Sequence, residues 1–461
     1  MGQRGSRTIN NLKKVDDFMK EKTDIVNIKD WYIDKFEHFR KRINGNGRSY
    51  FNKIHREAIS HFSKLGFPTT RSEEWKYTDI SPILKHHYHL IETLPQIGVQ
   101  DIKQYIFEKY SRNILVFING EYAADFSSLN ANKNDLVISP LEVALRQHSD
   151  MIQNYVSTIA KFSDEPFTAL NTAFSRQGVF IHIPENVIID EPIQLLYLSN
   201  ASEIPFQCHP RNLIIMGKGS QAKIIESHHS LSQGIYFNNA VTEIFLDDQT
   251  NLKYLMFQND SQKAFRISRT QINQKNNSVY NSVSIDLGGA IVRNNLGVCI
   301  DGENAETNLY GFYLMNGQQH IDNHTNINHL KPHCVSNELY KGILSDQARA
   351  VFSGTIYVAR DAQKTNAFQS NKNLLLGEEA EIDSKPQLKI FADDVKCSHG
   401  ATIGRLDEEA LFYLEQRGIS AVNAKNLLRM AFAHDVLAKI DSDPVKHYIE
   451  KVIHSRLNKE F

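Results

Sequence analysis

The feature that most constrains the fold is a span of almost three hundred residues, from about Arg112 to Ile403, built of short β-branched and aromatic runs. Asn, Gly, Asp and Pro separate the runs, which indicates successive strands and turns. Clear runs begin at Ile114, Val179, Leu213 and Val351. Because few Asn-Gly or Asp-Gly hairpin signals occur, a solenoid of stacked coils is favoured over a single sandwich. No strict repeat period is present, so a pair of β-sandwiches stays open.

The corners of a parallel β-helix need residues that tolerate left-handed backbone geometry, as asparagine does. We therefore predict corners at three asparagine-rich sites: Asn276-Asn277, Asn294-Asn295 and Asn371-Lys372-Asn373. In such a fold the side chains at equivalent positions of successive coils form ladders that point inward.

Helical patterns flank this β region. Apolar residues recur at helical spacing from about Val26 to Ser63, and Gly66 and Pro68 end that pattern. Inside the β region, only Leu141 to Arg176 has a helical pattern. The sequence thus predicts a helical module over residues 1–109, a β core over 110–404 with a helical insertion at about 141–176, and a second helical module over 405–461.

The carboxy-terminal module is predicted to contain three helices. Asp407 is a candidate cap for the first, Ser420 for the second, and Asp443-Pro444 opens the third. Two roles are open for this module: it seals the open end of the solenoid, or its outer face docks a partner.

Charge and hydropathy exclude several classes of function. The net charge is −1, with 52 basic and 53 acidic residues, so nothing drives the chain toward nucleic acid or anionic lipid. No apolar stretch approaches the length of a membrane span, and the first residues lack the apolar run of a targeting signal. We therefore expect a cytoplasmic protein without nucleic-acid or membrane partners. The four cysteines, Cys208, Cys299, Cys334 and Cys397, are widely separated and are expected to be free thiols.

Cys397 and His399 lie two residues apart, just before the chain turns helical. Residues two apart on a strand project to the same face, so the thiol and the imidazole could reach one metal ion. A closed structural site usually takes four ligands, so this pair is a half-site that a partner chain or a labile metal must complete. The alternative is a buried thiol beside a hydrogen-bonded histidine that never binds metal.

A second cluster has a suitable composition for zinc or iron if its side chains converge: His320, His324, His329, His333 and Cys334. Strands and turns need not bring them together, and histidines that face solvent or are buried in a ladder are the simpler expectation. A β-helix enzyme acting on polysaccharide is another alternative, which would need clustered carboxylates. The paired acids Asp247-Asp248, Glu378-Glu379 and Asp393-Asp394 are instead scattered along the chain.

Three segments, Arg71 to Thr78, Pro386 to Arg405 and Phe412 to Ile419, resemble the SufD family of scaffold subunits in the SUF iron-sulfur cluster assembly machinery. The string from Asp393 to Thr402 is the most specific part. The resemblance implies a mainly β fold, a right-handed parallel β-helix flanked by helical modules, without catalytic activity of its own. It also implies pairing with SufB through the β-helices and binding of the ATPase SufC through the helices from Asp407 to Leu457.

By the same resemblance, His399 matches the family histidine at the SufB interface that is implicated in holding iron or the nascent cluster, with Cys397 as the second candidate ligand. No cofactor is expected to stay bound, and iron or a cluster would be held only transiently. The paralogous SufB family carries a cysteine where this chain reads Ser370 to Gly377 without one, which favours a SufD-type over a SufB-type scaffold. When isolated, such a chain could pair with itself.

Overall fold

The computed structural model describes residues 28–41, 49–91, 94–107, 110–129, 135–201 and 203–460. They form two compact units. The first comprises the described residues up to His87 together with Lys161–Ser175, and the second comprises Tyr88–Ala160 together with the chain from Arg176 onward. None of the described helices is long and apolar enough to cross a membrane.

The described helices are, in chain order, α1 (28–41), α2 (Ser49–Leu65), α3 (Ser81–Leu84), α4 (Val99–Lys103), α5 (Leu141–Gln147), α6 (Ser149–Gln153), α7 (Pro166–Phe174), α8 (Glu408–Gln416), α9 (Ala421–Leu437) and α10 (Asp443–Glu460), with short 3-10 turns at Glu73–Trp75 and Ala124–Phe126. In the first unit, α2 ends as predicted, because Gly66 adopts a φ of 65° and its N–H bonds to the carbonyl of Phe62. Trp75 is buried there and packs against Phe167, with ring centroids 5.2 Å apart.

The described strands are β1 (His89–Leu90), β2 (Asn113–Ile118), β3 (Glu121–Tyr122), β4 (Ser128–Leu129), β5 (Val137–Pro140), β6 (Val179–Ile183), β7 (Ile193–Ser199), β8 (Phe206–Cys208), β9 (Arg211–Met216), β10 (Gln221–Ser230), β11 (Tyr236–Leu246), β12 (Asn251–Asn259), β13 (Phe265–Gln274), β14 (Val279–Asp286), β15 (Ile291–Ile300), β16 (Glu306–Met315), β17 (His320–His329), β18 (Val335–Leu344), β19 (Arg349–Val358), β20 (Asn366–Leu375), β21 (Glu381–Ile390) and β22 (Lys396–Gly404). From β9 onward, successive strands alternate between two sheets. From β11 onward, each strand pairs in parallel with the strand two before it in the chain. The result is a β-solenoid of about eight turns with flanking helices, which confirms the predicted fold class. The alternative of two β-sandwiches is wrong.

The asparagine prediction holds at only one of its three sites. Asn277 takes a left-handed φ of 57° at a corner, as predicted. Asn294 lies within β15, and Asn371 and Asn373 lie within β20, where their amides hydrogen-bond to other side chains. The prediction of corners at those two sites is wrong, because polar amides are also used inside the solenoid. The corners equivalent to Asn277 have φ values between 57° and 62° at Gln249, Asn304, His333 and Lys364.

The carboxy-terminal helices cover one outer side of the solenoid. Asp407 and Ser420 accept backbone hydrogen bonds as the caps of α8 and α9, which confirms those predictions. Apolar residues of α9 and α10 join one core cluster with outward-facing residues of the β10–β20 sheet. Lys341 of β18 fixes α9 through Asp435 at 2.8 Å and through the ring of Phe432 at 4.0 Å. These helices do not seal the open end, since nearly every residue of β22 stays exposed.

Candidate functional site

The candidate site lies on β22, the last strand of the solenoid. β22 pairs only with β20, so its other edge carries backbone N–H and C=O groups without a neighbouring strand among the described residues. β21 is the corresponding last strand of the facing sheet. An open edge of this kind is a template on which another chain can add a strand or a coil.

Cys397 and His399 lie on one face of β22. Their register partners on β20 are Ala367 and Gln369, which are both buried, so the pair continues two inward-facing rows of the solenoid up to its edge. Two residues along a strand place the two Cα atoms about 7 Å apart, which is close enough for both side chains to reach one ion. The predicted shared face is therefore present, while metal binding by the pair stays a prediction.

The two candidate ligands differ in their surroundings. The Cys397 side chain is partly buried and packs against an apolar cluster that includes Ala367 and Ala392. This burial raises the pKa of the Cys397 thiol, and a hydrogen bond with the backbone of Ala367 offsets part of that rise. The thiol is therefore protonated at neutral pH and must lose its proton when it binds a metal ion. His399 is exposed.

The row that ends at His399 becomes polar in its last three positions. We call Glu338, Gln369 and His399, which are register partners on β18, β20 and β22, the His399 row. Glu338 and Gln369 are only 4% and 3% exposed, and the Gln369 Nε2 donates a hydrogen bond of 2.6 Å to Glu338 Oε2. Burial raises the pKa of Glu338 to about 7, while Thr325 and Gln369 act in the opposite direction.

We expect Glu338→Gln to flatten the dependence of stability on pH. Because the folded pKa of Glu338 lies above its unfolded value, its neutral form stabilises the fold at low pH, and that contribution is lost as the pH rises through about 7. Between about pH 5 and pH 7, wild type should lose about 2 kcal/mol more free energy of unfolding than the variant. Urea titrations of both proteins at several pH values measure the difference. Equal slopes of the free energy of unfolding against pH in the two proteins would contradict the expectation. The pKa of Asp286 is also raised to about 7, but Asp286 is present in both proteins, so its contribution cancels in the comparison.

Exposed apolar side chains accompany the candidate ligands at the open edge. Ile403 on β22 is 53% exposed, Phe391 just after β21 is 58% exposed, and Phe368 on β20 is 45% exposed. Apolar surface of this kind next to unpaired strands is typical of a protein interface. The half-site and these exposed apolar side chains therefore lie on or next to the last strands of the solenoid.

The second predicted cluster does not converge. His324 bonds to Asp322 at 2.9 Å, and His329 is buried and bonded to Ser336, with a pKa lowered by burial to about 4. Cys334 is buried and donates to the backbone carbonyl of Gly302. Within the described ranges, no group of three or more His, Cys, Asp or Glu side chains could hold a metal ion. A metal at Cys397 and His399 would thus need ligands from another molecule.

The sequence alone gives no signal that Glu338 and Gln369 belong to the site. They precede His399 by 61 and 30 residues, and only the strand register reveals that all three share one row. A search for polar residues one coil length before His399 would have found Gln369, but the coil length is not visible without the structure.

Comparisons with known proteins find matches over most of this chain. A family model described as the SUF system FeS cluster assembly, SufBD core domain, matches residues 197–432, and one described as the SufBD protein N-terminal region matches residues 26–195. A Synechocystis protein named as an iron-sulfur cluster assembly SufBD family protein is 34% identical over 83% of this chain and 86% of its own length. The iron-sulfur cluster assembly protein SufD of Escherichia coli is 29% identical over 87% and 92%, and protein ABCI7, chloroplastic, of Arabidopsis thaliana is 30% identical over 82% and 80%.

Proposed function

We propose that this chain is a cytoplasmic scaffold subunit of the SufD type and not an enzyme by itself. The basis is that the chain belongs to the SufBD family of iron-sulfur cluster assembly proteins. Relatives named SufD in Escherichia coli and Bacillus subtilis align over 92% and 94% of their own lengths. The observation that carries the proposal is the open, partly apolar edge at β22, which presents an incomplete ligand pair to whatever covers it.

In this proposal, SufB covers that edge. Its own β-helix would abut β21 and β22, extend the hydrogen bonding of the two sheets and bury Phe391 and Ile403. An isolated chain offers the same edge to a second copy of itself, so a homodimer is expected when SufB is absent. We call this proposed interface of β21 and β22 with SufB the seam. Iron or a nascent cluster is the cargo at the seam, held by His399 and Cys397 together with ligands from SufB, and no cofactor stays bound.

His399→Ala should remove the capacity of the complex to retain iron. The proposed site has two donors from this chain, the imidazole nitrogen of His399 and the sulfur of Cys397, and the variant removes the first. Two donors are already fewer than a metal ion usually requires. We expect iron and sulfide per complex to fall by about tenfold or more, as for loss of a metal ligand or its support. Anaerobic co-expression with SufB and SufC, followed by metal and sulfide analysis of the purified complex, measures this.

The matched control is His447→Ala, which removes an exposed histidine of α10 outside the seam. Both variants should still co-purify with SufB and SufC in the wild-type ratio. Unchanged iron content in the His399 variant would contradict the cargo role.

The ATPase SufC is proposed to bind the outer face of α8 and α9. Four apolar side chains there are between 51% and 66% exposed: Phe412, Tyr413, Val422 and Leu427. The inner face of α9 already packs against the solenoid, whereas these four outer apolar side chains remain mostly exposed to solvent.

Changing Phe412 and Val422 to Glu should abolish SufC binding, because two carboxylates would be buried without partners in the interface. We expect at least about a hundredfold weaker binding, measured by titrating SufC onto the purified chain. Lys451→Glu on the exposed surface of α10 is the control for added negative charge and should bind SufC as wild type does. Wild-type affinity in the double variant would refute this docking surface.

A further inference from the structure

The side chain of Gln369 is fixed from two directions inside the solenoid. Its Nε2 atom donates a hydrogen bond to Glu338, and the ionised form of that carboxyl group, which only accepts hydrogen bonds, fixes the orientation of the amide. On the facing sheet, the amide lies over Gly354, where an added Cβ would stand 2.2 Å from Nε2 and 2.8 Å from Cδ. Gly354 therefore leaves the space that the Gln369 amide occupies.

This arrangement leaves the other end of the amide unused. The Gln369 Oε1 atom is buried and accepts no hydrogen bond. An unpaired buried acceptor costs about 1–3 kcal/mol, so it calls for a donor in some state of the protein. Among the described strands, only β22 lies beyond β20 in this sheet, and its residue in register with Gln369 is His399.

His399 can supply that donor. Adjacent strands are about 4.8 Å apart, so an imidazole on β22 that turns inward brings a ring N–H to an amide on β20. His399 is exposed, and an exposed side chain changes rotamer freely. Histidines that bind metals almost always donate their second ring N–H to a carbonyl or carboxylate, which fixes the tautomer and directs the other nitrogen at the metal.

We propose that Gln369, anchored by Glu338 and accommodated by Gly354, is the positioning residue of His399: its Oε1 accepts one ring N–H and directs the other ring nitrogen outward to the cargo. This inference rests on the proposed function and deepens it, since it names the residues of this chain that prepare the ligand. Neither Gln369 nor Glu338 contacts the cargo.

The first test reads the histidine without any metal. The full chain, labelled with ¹⁵N in its histidine side chains, is studied by NMR, and the His399 signals are assigned by their loss in His399→Ala. In the wild-type complex with SufB and SufC, His399 should have one dominant tautomer. Gln369→Leu should give a mixture of both tautomers, and Gly354→Ala should do the same by displacing the amide. Gln369→Glu keeps an acceptor and should restore one tautomer.

The second test measures Fe²⁺ binding to the same complexes. Gln369→Leu should weaken Fe²⁺ binding by about tenfold or more, and Gln369→Glu should bind more tightly than the leucine variant. The matched control is Gln271→Leu on β13, where the amide also lies over a glycine, Gly297, but far from β22; this variant should bind Fe²⁺ as wild type does. If His399→Ala abolishes Fe²⁺ binding while Gln369→Leu changes neither tautomer nor affinity, the positioning role is wrong and the proposed function stands. If His399→Ala binds Fe²⁺ normally, the proposed function fails, and the tautomers alone decide whether Gln369 contacts His399.

Discussion

Glu243→Ala should lower the free energy of unfolding by about 3–5 kcal/mol, the usual cost of breaking a buried ion pair from one side. Glu243 is fully buried, and its carboxylate bonds to Arg211 at 2.5 Å. It also accepts backbone N–H bonds from Ser157 at 2.7 Å, Ile159 at 3.2 Å and Ala160 at 3.0 Å. In the variant, three backbone N–H groups and the Arg211 guanidinium would lose this shared acceptor. The Arg211 side chain is only 1% exposed, so water cannot easily replace it.

The destabilisation caused by Glu243→Ala should begin locally, at one turn of the chain. The segment from Ser157 to Ala160 follows the short helix α6, and Ser157 takes a left-handed φ of 61°. Because the Glu243 carboxylate accepts three of the backbone N–H groups of this turn, it ties the turn to β11. Urea titration measures the change in stability, and limited proteolysis should cut the variant first near this turn. A control is Glu381→Ala, which breaks the exposed pair with Arg349 and should cost about 1 kcal/mol or less. Equal stability of the two variants would contradict the expectation.

The strands of the solenoid could be predicted from the sequence because the buried positions of a strand select β-branched and aromatic residues. The runs that begin at Ile114, Val179 and Val351 all fall within strands of the structure. The helix caps at Asp407 and Ser420 were equally predictable, since a cap is a local interaction between a side chain and nearby backbone.

The repeat of the solenoid could not be predicted, because the coils differ in length. Successive register partners lie 28, 27, 29, 31 and 30 residues apart at Asn251, Val279, Glu306, Val335, Asn366 and Lys396. Corner loops of variable length absorb these differences while the strands stay in register. A periodicity search at any fixed spacing therefore loses the pattern after a few coils.

The same variation limits what the sequence reveals about the candidate site. The shared face of Cys397 and His399 follows from the alternation of side chains along a strand, which is local. The association of His399 with Gln369 and Glu338 depends on two coil lengths, and so does the inward position of Asn371. Polar residues inside a solenoid look like loop residues in the sequence, which is why the pattern predicts corners at the asparagines of β15 and β20.

Gly342→Ala should destabilise the protein by about 3 kcal/mol or more, at the upper end of the range for overpacked cores. An added Cβ at Gly342 would lie 2.0 Å from the ring of Tyr313 and 2.5 Å from Asn373 Oδ1. Tyr313 is 1% exposed and donates its hydroxyl to the same Asn373 oxygen at 2.5 Å, so neither group can move without losing that bond. The methyl group would therefore strain a ring and a buried hydrogen bond together.

Gly404→Ala is the matched control for the change in residue type. Gly404 is also on a strand, but an added Cβ there meets no atom within 4 Å, and alanine should be tolerated with a change of about 0.5 kcal/mol or less. Thermal and urea unfolding of the two variants measure the contrast. Similar stabilities would mean that the interior of the solenoid yields easily around Tyr313. A large loss at Gly342 alone would mean that the interior is rigid there, and a rigid interior is what Gln369 needs in order to hold one orientation beneath His399.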